Sequence, residues 1–291
     1  MKQMFADEKL QLDFEKNGFV VVPFLSSNEL AAVVAYYESV KHLHEITSPV
    51  HSTSDTNNAE LIESVDKKLK QLTWQAQERF FYEHNCFLSN FLIKESGEDS
   101  AIYPHQDWTF VDEEKYASAS VWCPLTDVNE TTGFISVLPG SHNLSKNIRS
   151  SPDSPSAFKN VATLVEENIL PLKIKSGEAL IYHHGIVHCS SLNLSGKPRP
   201  VLVLAVVPKE AKIFMYYYHP APAERKLERF IVNTDFFYSY NKYSRPNGKY
   251  SIGFVDTSFE TLSVEKFCKA FNLPLPSQKE SIAPDSSGYL S

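Results

Sequence analysis

The sequence predicts a mainly β fold, a sandwich or jelly roll, with helices packed on its outside. Three observations carry this. Between Arg79 and Pro208, short runs rich in β-branched and aromatic residues follow one another, each bounded by turn residues, with no helical pattern between them. Ahead of that stretch, apolar residues recur at helical spacing instead. The chain has 291 residues and is 42% hydrophobic and 22% charged, enough apolar content to close a substantial core.

The elements follow in order. Phe5, Leu10, Leu12 and Phe14 lie among charged residues up to Gly18, which reads as a helix and its stop. The apolar run Phe19 to Leu25 reads as a buried strand. Ser26 or Ser27 can cap the next helix, because a hydroxyl satisfies a free backbone N–H and Glu29 suits the first turn. Leu30, Val33, Val34 and Tyr37 give that helix its apolar face. A polar loop at 52–58 precedes a further helix at about 59–75. Strands are expected at 87–93, 101–107, 118–124, 134–138, 170–174, 179–183, 186–190 and 200–207, with turns at Leu138-Pro-Gly-Ser141 and Lys175-Ser-Gly-Glu178. Beyond Pro208, an aromatic block from Phe214 reads as a strand, the charged segment 224–229 as a helix, and 263–271 as another short helix. No internal repeat or linker interrupts the chain. A single domain is expected, with N-terminal helices at about 5–75, a β core at about 79–208 and a C-terminal extension at about 209–291.

Lys and Arg total 28 against 35 Asp and Glu, a net charge of −7, which lacks the basic footprint of a nucleic-acid or membrane-surface binder. Cys86, Cys123, Cys189 and Cys268 are far apart and form no CxxC pair, which argues against a disulfide scaffold and a zinc knuckle. The first residues are charged where a signal peptide is apolar, and no apolar window is long enough to span a bilayer. The expectation is a cytoplasmic protein acting on a small molecule, with its oligomeric state left open.

His105-Gln-Asp107 is the first candidate for chemistry. On a strand, residues i and i+2 point to one face, so an imidazole and a carboxylate would converge as a metal needs. Taken alone, the triplet reads rather as an exposed polar pair beside a turn. A third ligand would come from another strand, and His188 in Tyr182-His-His-Gly-Ile-Val-His188 is the best candidate, with His183 and His184 competing. Two His and one Asp leave three positions open on iron(II), although zinc could use the same ligands with a water. Arg199 opens the hydrophobic run 199–208, where a guanidinium needs an anionic partner, and a dicarboxylate would supply one in bidentate geometry.

The chain resembles the phytanoyl-CoA dioxygenase family of iron(II)- and 2-oxoglutarate-dependent oxygenases. The resemblance rests on Phe14-Glu-Lys-Asn-Gly-Phe-Val-Val-Val-Pro23, His105-Gln-Asp107, Trp122, Gly133-Phe-Ile-Ser-Val-Leu-Pro-Gly-Ser-His142, Gly177 to Gly185, His188-x-Ser190, Asn193-x-Ser195 and Arg199. It covers about residues 10–208. It implies a double-stranded β-helix (a cupin-like jelly roll) in which His105, Asp107 and His188 hold iron. It further implies that Arg199, helped by the Ser190 hydroxyl, pairs with the distal carboxylate of 2-oxoglutarate, that Trp122 lies against this cosubstrate, and that Phe91 is an apolar neighbour of it. Two departures stand out: Thr132-Gly133 replaces a common Asn-Gly, and a family lysine that reaches the cosubstrate has no assigned position. Halogenating relatives carry a small residue at the place of Asp107, so a carboxylate there favours hydroxylation or another oxidation over halogenation.

The expected function is therefore an Fe(II)- and 2-oxoglutarate-dependent oxygenase that uses O2 to hydroxylate a C–H bond, with release of succinate and CO2. The alternatives are a non-catalytic jelly-roll protein that binds metal or ligand, and a zinc hydrolase on the same triad.

Overall fold

The computed structural model describes residues 2–43, 46, 48–219, 226–241, 244–256 and 258–276. The chain runs α1 (Glu8–Asn17), β1 (Phe19–Pro23), α2 (Ser27–Val40), β2 (Val50–Ser52), α3 (Ala59–Phe80), β3 (His84–Lys94), β4 (Ile102–His105), β5 (Ala119–Pro124) and β6 (Ile135–Val137). It continues with α4 (Ala162–Asn168), β7 (Leu170–Leu172), β8 (Glu178–His183), β9 (His188–Ser190), β10 (Arg199–Pro208), β11 (Ile213–His219), β12 (Lys226–Val232), α5 (Thr234–Ser239), β13 (Ser251–Val255) and α6 (Val264–Phe271).

The helices start where the sequence supplies a cap. Asp7 caps α1, and Gly18 ends it with a φ of 81°, which glycine adopts without penalty. A Cβ at Gly18 would also lie 2.5 Å from the His142 ring. Ser26 and Glu29 form a reciprocal capping box on α2. Asn58 caps α3, which runs to Phe80, beyond the expected end, because Thr73, Ala76 and Gln77 are still buried against the β core.

Two antiparallel sheets face each other. The larger has the order β1-β8-β5-β10-β3-β2 and the smaller β4-β9-β6-β7. Strand alternation sends Trp122, Leu180, Tyr182 and Val201 of the large sheet inward, where they meet Ile135 and Val137 of the small one. The opposite parity of the large sheet, including Phe91, Val121, Ile181 and Leu202, is covered by Val33 and Tyr37 of α2 and Val65 and Leu69 of α3. The two-sheet jelly roll with outer helices is thus the expected fold class.

The C-terminal part differs from expectation. Residues 226–232 form β12, paired along its length with β11, where a helix is expected; 224 and 225 lie outside the described residues. The charges that suggest a solvated helix face are instead satisfied in the sheet. Buried Glu228 accepts from Arg245 at 2.8 and 2.6 Å and from Ser251 at 2.6 Å, while Arg229 stacks over Phe214 at 5.1 Å. The sheet β11-β12-β13 shares a core with the jelly roll, in which Phe87 and Val207 meet Met215, Phe230 and Phe237. Phe267 of α6 packs in turn on Leu138, Phe158 and Val187. Among the described residues all four cysteines are free, and no helix is long and apolar enough to cross a membrane.

Candidate metal centre and anion subsite

Strand pairing assembles the centre. His105 at the end of β4 lies directly opposite His188 at the start of β9, and their ring centroids are 4.3 Å apart. Each ring nitrogen Nδ1 faces a carbonyl two residues earlier, Tyr103 at 2.8 Å and Ile186 at 3.1 Å. Donation there fixes the tautomer and turns each Nε2 lone pair toward the same point. β4 ends at His105, so Asp107 lies in the following loop and not on a strand face. Its Oδ1 nevertheless comes within 4.0 Å of His105 Nε2 and 3.8 Å of His188 Nε2. The ligand atoms of the three residues all lie within 4.8 Å of one another.

The loop position of Asp107 has a physical cause. Arg149 Nε donates to the Asp107 carbonyl at 2.7 Å, and Thr109 N–H donates to the Arg149 carbonyl at 3.0 Å. Glu113 grips the same guanidinium at 2.9 and 2.6 Å. Burial alone would raise the Glu113 carboxyl, but Arg149 outweighs it and brings it to about 2. Burial also works against the Asp107 charge, yet His188, His184 and His105 together hold its carboxyl below the usual range.

The competition among the three nearby histidines resolves by hydrogen bonding. His184 sits between Ser118 Oγ at 2.8 Å and Ser120 Oγ at 3.0 Å, so both ring nitrogens are engaged. His183 Nδ1 accepts from Gly185 N–H at 2.8 Å and packs beside Phe14 and His142. Burial lowers both, to about 4 and about 3, as expected of neutral core histidines. His188 is also held down to about 4, by burial first and then by His105, so it is neutral near pH 7 and able to act as a ligand.

A second cluster lies on the same face of β9, two residues along at Ser190. Arg199, only 2% exposed, stacks over Trp122 at 5.1 Å. Its Nη1 donates to the Thr132 and Gly133 carbonyls. Lys94 is paired opposite Arg199 across β3 and β10, is 1% exposed, and donates to the Ser190 and Ser191 carbonyls at 3.3 and 2.7 Å. Burial, and then the charge of Arg199, lower Lys94 to about 7. Among the described residues both cations donate to backbone carbonyls and neither has a carboxylate partner, and Arg199 Nε and Ser190 Oγ are buried with no hydrogen bond. Two buried cations with spare donors need an anion.

Trp122 thus lies against Arg199, and Ser190 follows His188 on β9, but Phe91 is turned elsewhere. It points away from this interior into the helix layer, 5.2 Å from Tyr37 and 6.1 Å from Tyr36. The reason is parity: on β3, Ser89, Phe91 and Ile93 face the helices, while Asn90, Leu92 and Lys94 face the interior. Lys94, by contrast, faces the interior opposite Arg199. The expected strand ended at Ile93, one residue too soon to reveal it.

A jelly roll that brings two imidazoles and one carboxylate together at a strand end has the arrangement of the non-haem metal oxygenase class. The family model described as phytanoyl-CoA dioxygenase (PhyH) matches residues 14–201, and the chain belongs to that family. Phytanoyl-CoA dioxygenase 1 of Oryza sativa subsp. japonica is 30% identical over 129 residues, covering 42% of this chain. That match takes in 44% of the rice protein, so the chain spans less than half the length of this relative. Phytanoyl-CoA dioxygenase domain-containing protein 1 of Danio rerio is 24% identical over 220 residues, 73% of this chain and 68% of that protein. In fold the chain is similar to the alpha ketoglutarate dependent carbocyclase SnoK from nogalamycin biosynthesis, with a TM-score of 0.53 at 19% identity over 72% of this chain and 86% of that one. It is similar also to the epimerase SnoN, solved with Fe3+ and alpha ketoglutarate, with a TM-score of 0.52 at 19% identity over 71% and 85%.

Proposed function

We propose that this protein is an iron(II)- and 2-oxoglutarate-dependent oxygenase that hydroxylates a C–H bond of a small molecule. The observation that carries the reading is the pairing of two clusters on one interior: the donor set His105, Asp107 and His188, and the buried, acid-free cations Arg199 and Lys94 beside it. The donor set suits a divalent metal with positions left for other ligands, and the unpartnered Arg199 Nε and Ser190 Oγ suit a carboxylate. When bound, iron(II), 2-oxoglutarate and O2 supply the oxidation, with succinate and CO2 as by-products.

The chain's own residues bind and orient. His105, Asp107 and His188 would hold the metal, with Arg149 fixing the backbone of Asp107. Arg199, Lys94 and Ser190 would hold the distal carboxylate. Trp122, Val201 and Leu180 exclude water from its surroundings. A hydrolase reading would leave the cation pair without a purpose, and the nearby acid Glu113 is committed to Arg149.

Succinate formation from 2-oxoglutarate tests the reading. It is expected to require iron(II) and to vanish in His105→Ala and Asp107→Ala. Arg199→Ala is expected to raise the 2-oxoglutarate requirement by at least tenfold while iron still binds. Full activity in His105→Ala would sink the assignment.

A further inference from the structure

Beside His105 the molecule opens in two directions. On one side Phe158, Val165 and Val187, together with Gln106 and Ser156, line a niche of about 10 Å³, room for one water-sized group. On the other, a cavity of about 40 Å³ is walled by polar groups, among them Gln106, Asn147, Ser150, Asp153 and Ser154. Asn147 and Ala157 are shared with a groove of about 500 Å³ that runs between residues 143–148 and 256–266. That volume is typical of sites that take molecules of drug or sugar size.

The groove is built by the C-terminal extension. Asn147 exchanges two hydrogen bonds with the backbone of Glu260, at 2.8 and 3.2 Å, and Leu262 N–H donates to the Ala157 carbonyl at 2.8 Å. These bonds tie the extension to the loop that follows β6, so the two walls form one unit. The groove itself is lined by both signs, Lys146 and Lys266 with Asp256 and Glu260, whereas the inner end is one-sided. The Arg149 cation is matched by Glu113, whereas exposed Asp153 accepts a single 3.3 Å bond from Trp108 Nε1. An acyl chain laid here would strip water from hydroxyls, amides and a carboxylate and return no hydrogen bonds.

We propose that the substrate oxidised at this centre is a hydroxyl-rich, amine-bearing small molecule that lies in the polar groove, with its ammonium group at Asp153. The C-terminal extension is then the outer wall of the substrate site. This inference rests on the oxygenase reading above and names its substrate class.

The test uses the whole chain loaded anaerobically with iron(II) and 2-oxoglutarate, whose chelation is read from its visible charge-transfer band. Amino sugars, aminocyclitols and hydroxylated amino acids form one probe set; octanoyl-CoA and palmitoyl-CoA form the other. Binding is followed by saturation-transfer NMR. The polar set is expected to contain the binders, and the tightest is expected to lose at least tenfold in affinity in Asp153→Asn and more in Asp153→Lys. Preference for the acyl thioesters, no binder in the polar set, or an affinity untouched by both Asp153 variants would overturn the substrate class while the band stands. Absence of the band itself would overturn the oxygenase reading, and the substrate proposal with it.

Discussion

Lys94 and Arg199 are two cations held side by side out of water, and that is costly unless an anion joins them. Lys94, lowered to about 7 by burial and by Arg199, is partly neutral at pH 7.5 in the free protein. A bound dicarboxylate favours its charged form, so binding takes up a proton at that pH. The sign follows: affinity is complete below about pH 7 and declines as pH rises above it, by up to tenfold per unit. Calorimetry of manganese(II)-loaded protein with 2-oxoglutarate, in buffers of different ionisation enthalpy, is expected to show this uptake. Lys94→Arg is expected to abolish it while keeping affinity within about tenfold. Arg149 makes a second prediction, because it anchors Asp107 by its carbonyl. Arg149→Met is expected to weaken metal binding by about 10- to 100-fold, measured as a manganese(II) dissociation constant. At this scale the candidate ligands were legible because their residue types are few and the ordered motifs restrict them. What was hidden depended on strand parity and length: Phe91 and Lys94 exchange roles once β3 is seen to run to Lys94.

Among the elements, α3 is fastened by a buried carboxylate. Asp66 accepts from Ser89 N–H at 2.6 Å and Oγ at 2.9 Å, from Tyr238 at 2.7 Å and from Lys70 at 2.7 Å, so it ties α3 to β3 and to α5 of the extension. Asp66→Ala strands those donors in the interior and is expected to cost about 3 kcal/mol in urea unfolding. The cap of α2 has a different signature. The Arg79 hydrogen bond, supported by Ser26 against the effect of burial, holds Glu29 down to about 2. A depressed carboxyl stabilises the fold above its unfolded value near 4.3 and loses that contribution as pH falls toward 2. The stability gap between wild type and Glu29→Gln is therefore expected to be full at about pH 6 and smaller at about pH 3, read from urea midpoints. The helices and jelly-roll strands were readable because capping residues and alternation are local signals. β12 was not, because its charged residues Glu228 and Arg229 find Arg245 and Phe214 only across the sheet.

For the whole molecule, the jelly roll, its helices and the extension share continuous cores, and the interior between the two sheets carries both candidate subsites. The fold class was legible because the β-rich texture changes sharply at Arg79; the path of the extension was not, since its sheet is closed by long-range pairing. The central claim is that His105, Asp107 and His188 hold iron while Arg199 and Lys94 hold 2-oxoglutarate beside it. An anaerobic titration of metal-free protein with iron(II) and then 2-oxoglutarate tests it most directly. The weak visible band of the chelated keto acid is expected in wild type, and its loss is expected in His188→Ala. Iron binding without that band in wild type, or an unchanged band in His188→Ala, would contradict it.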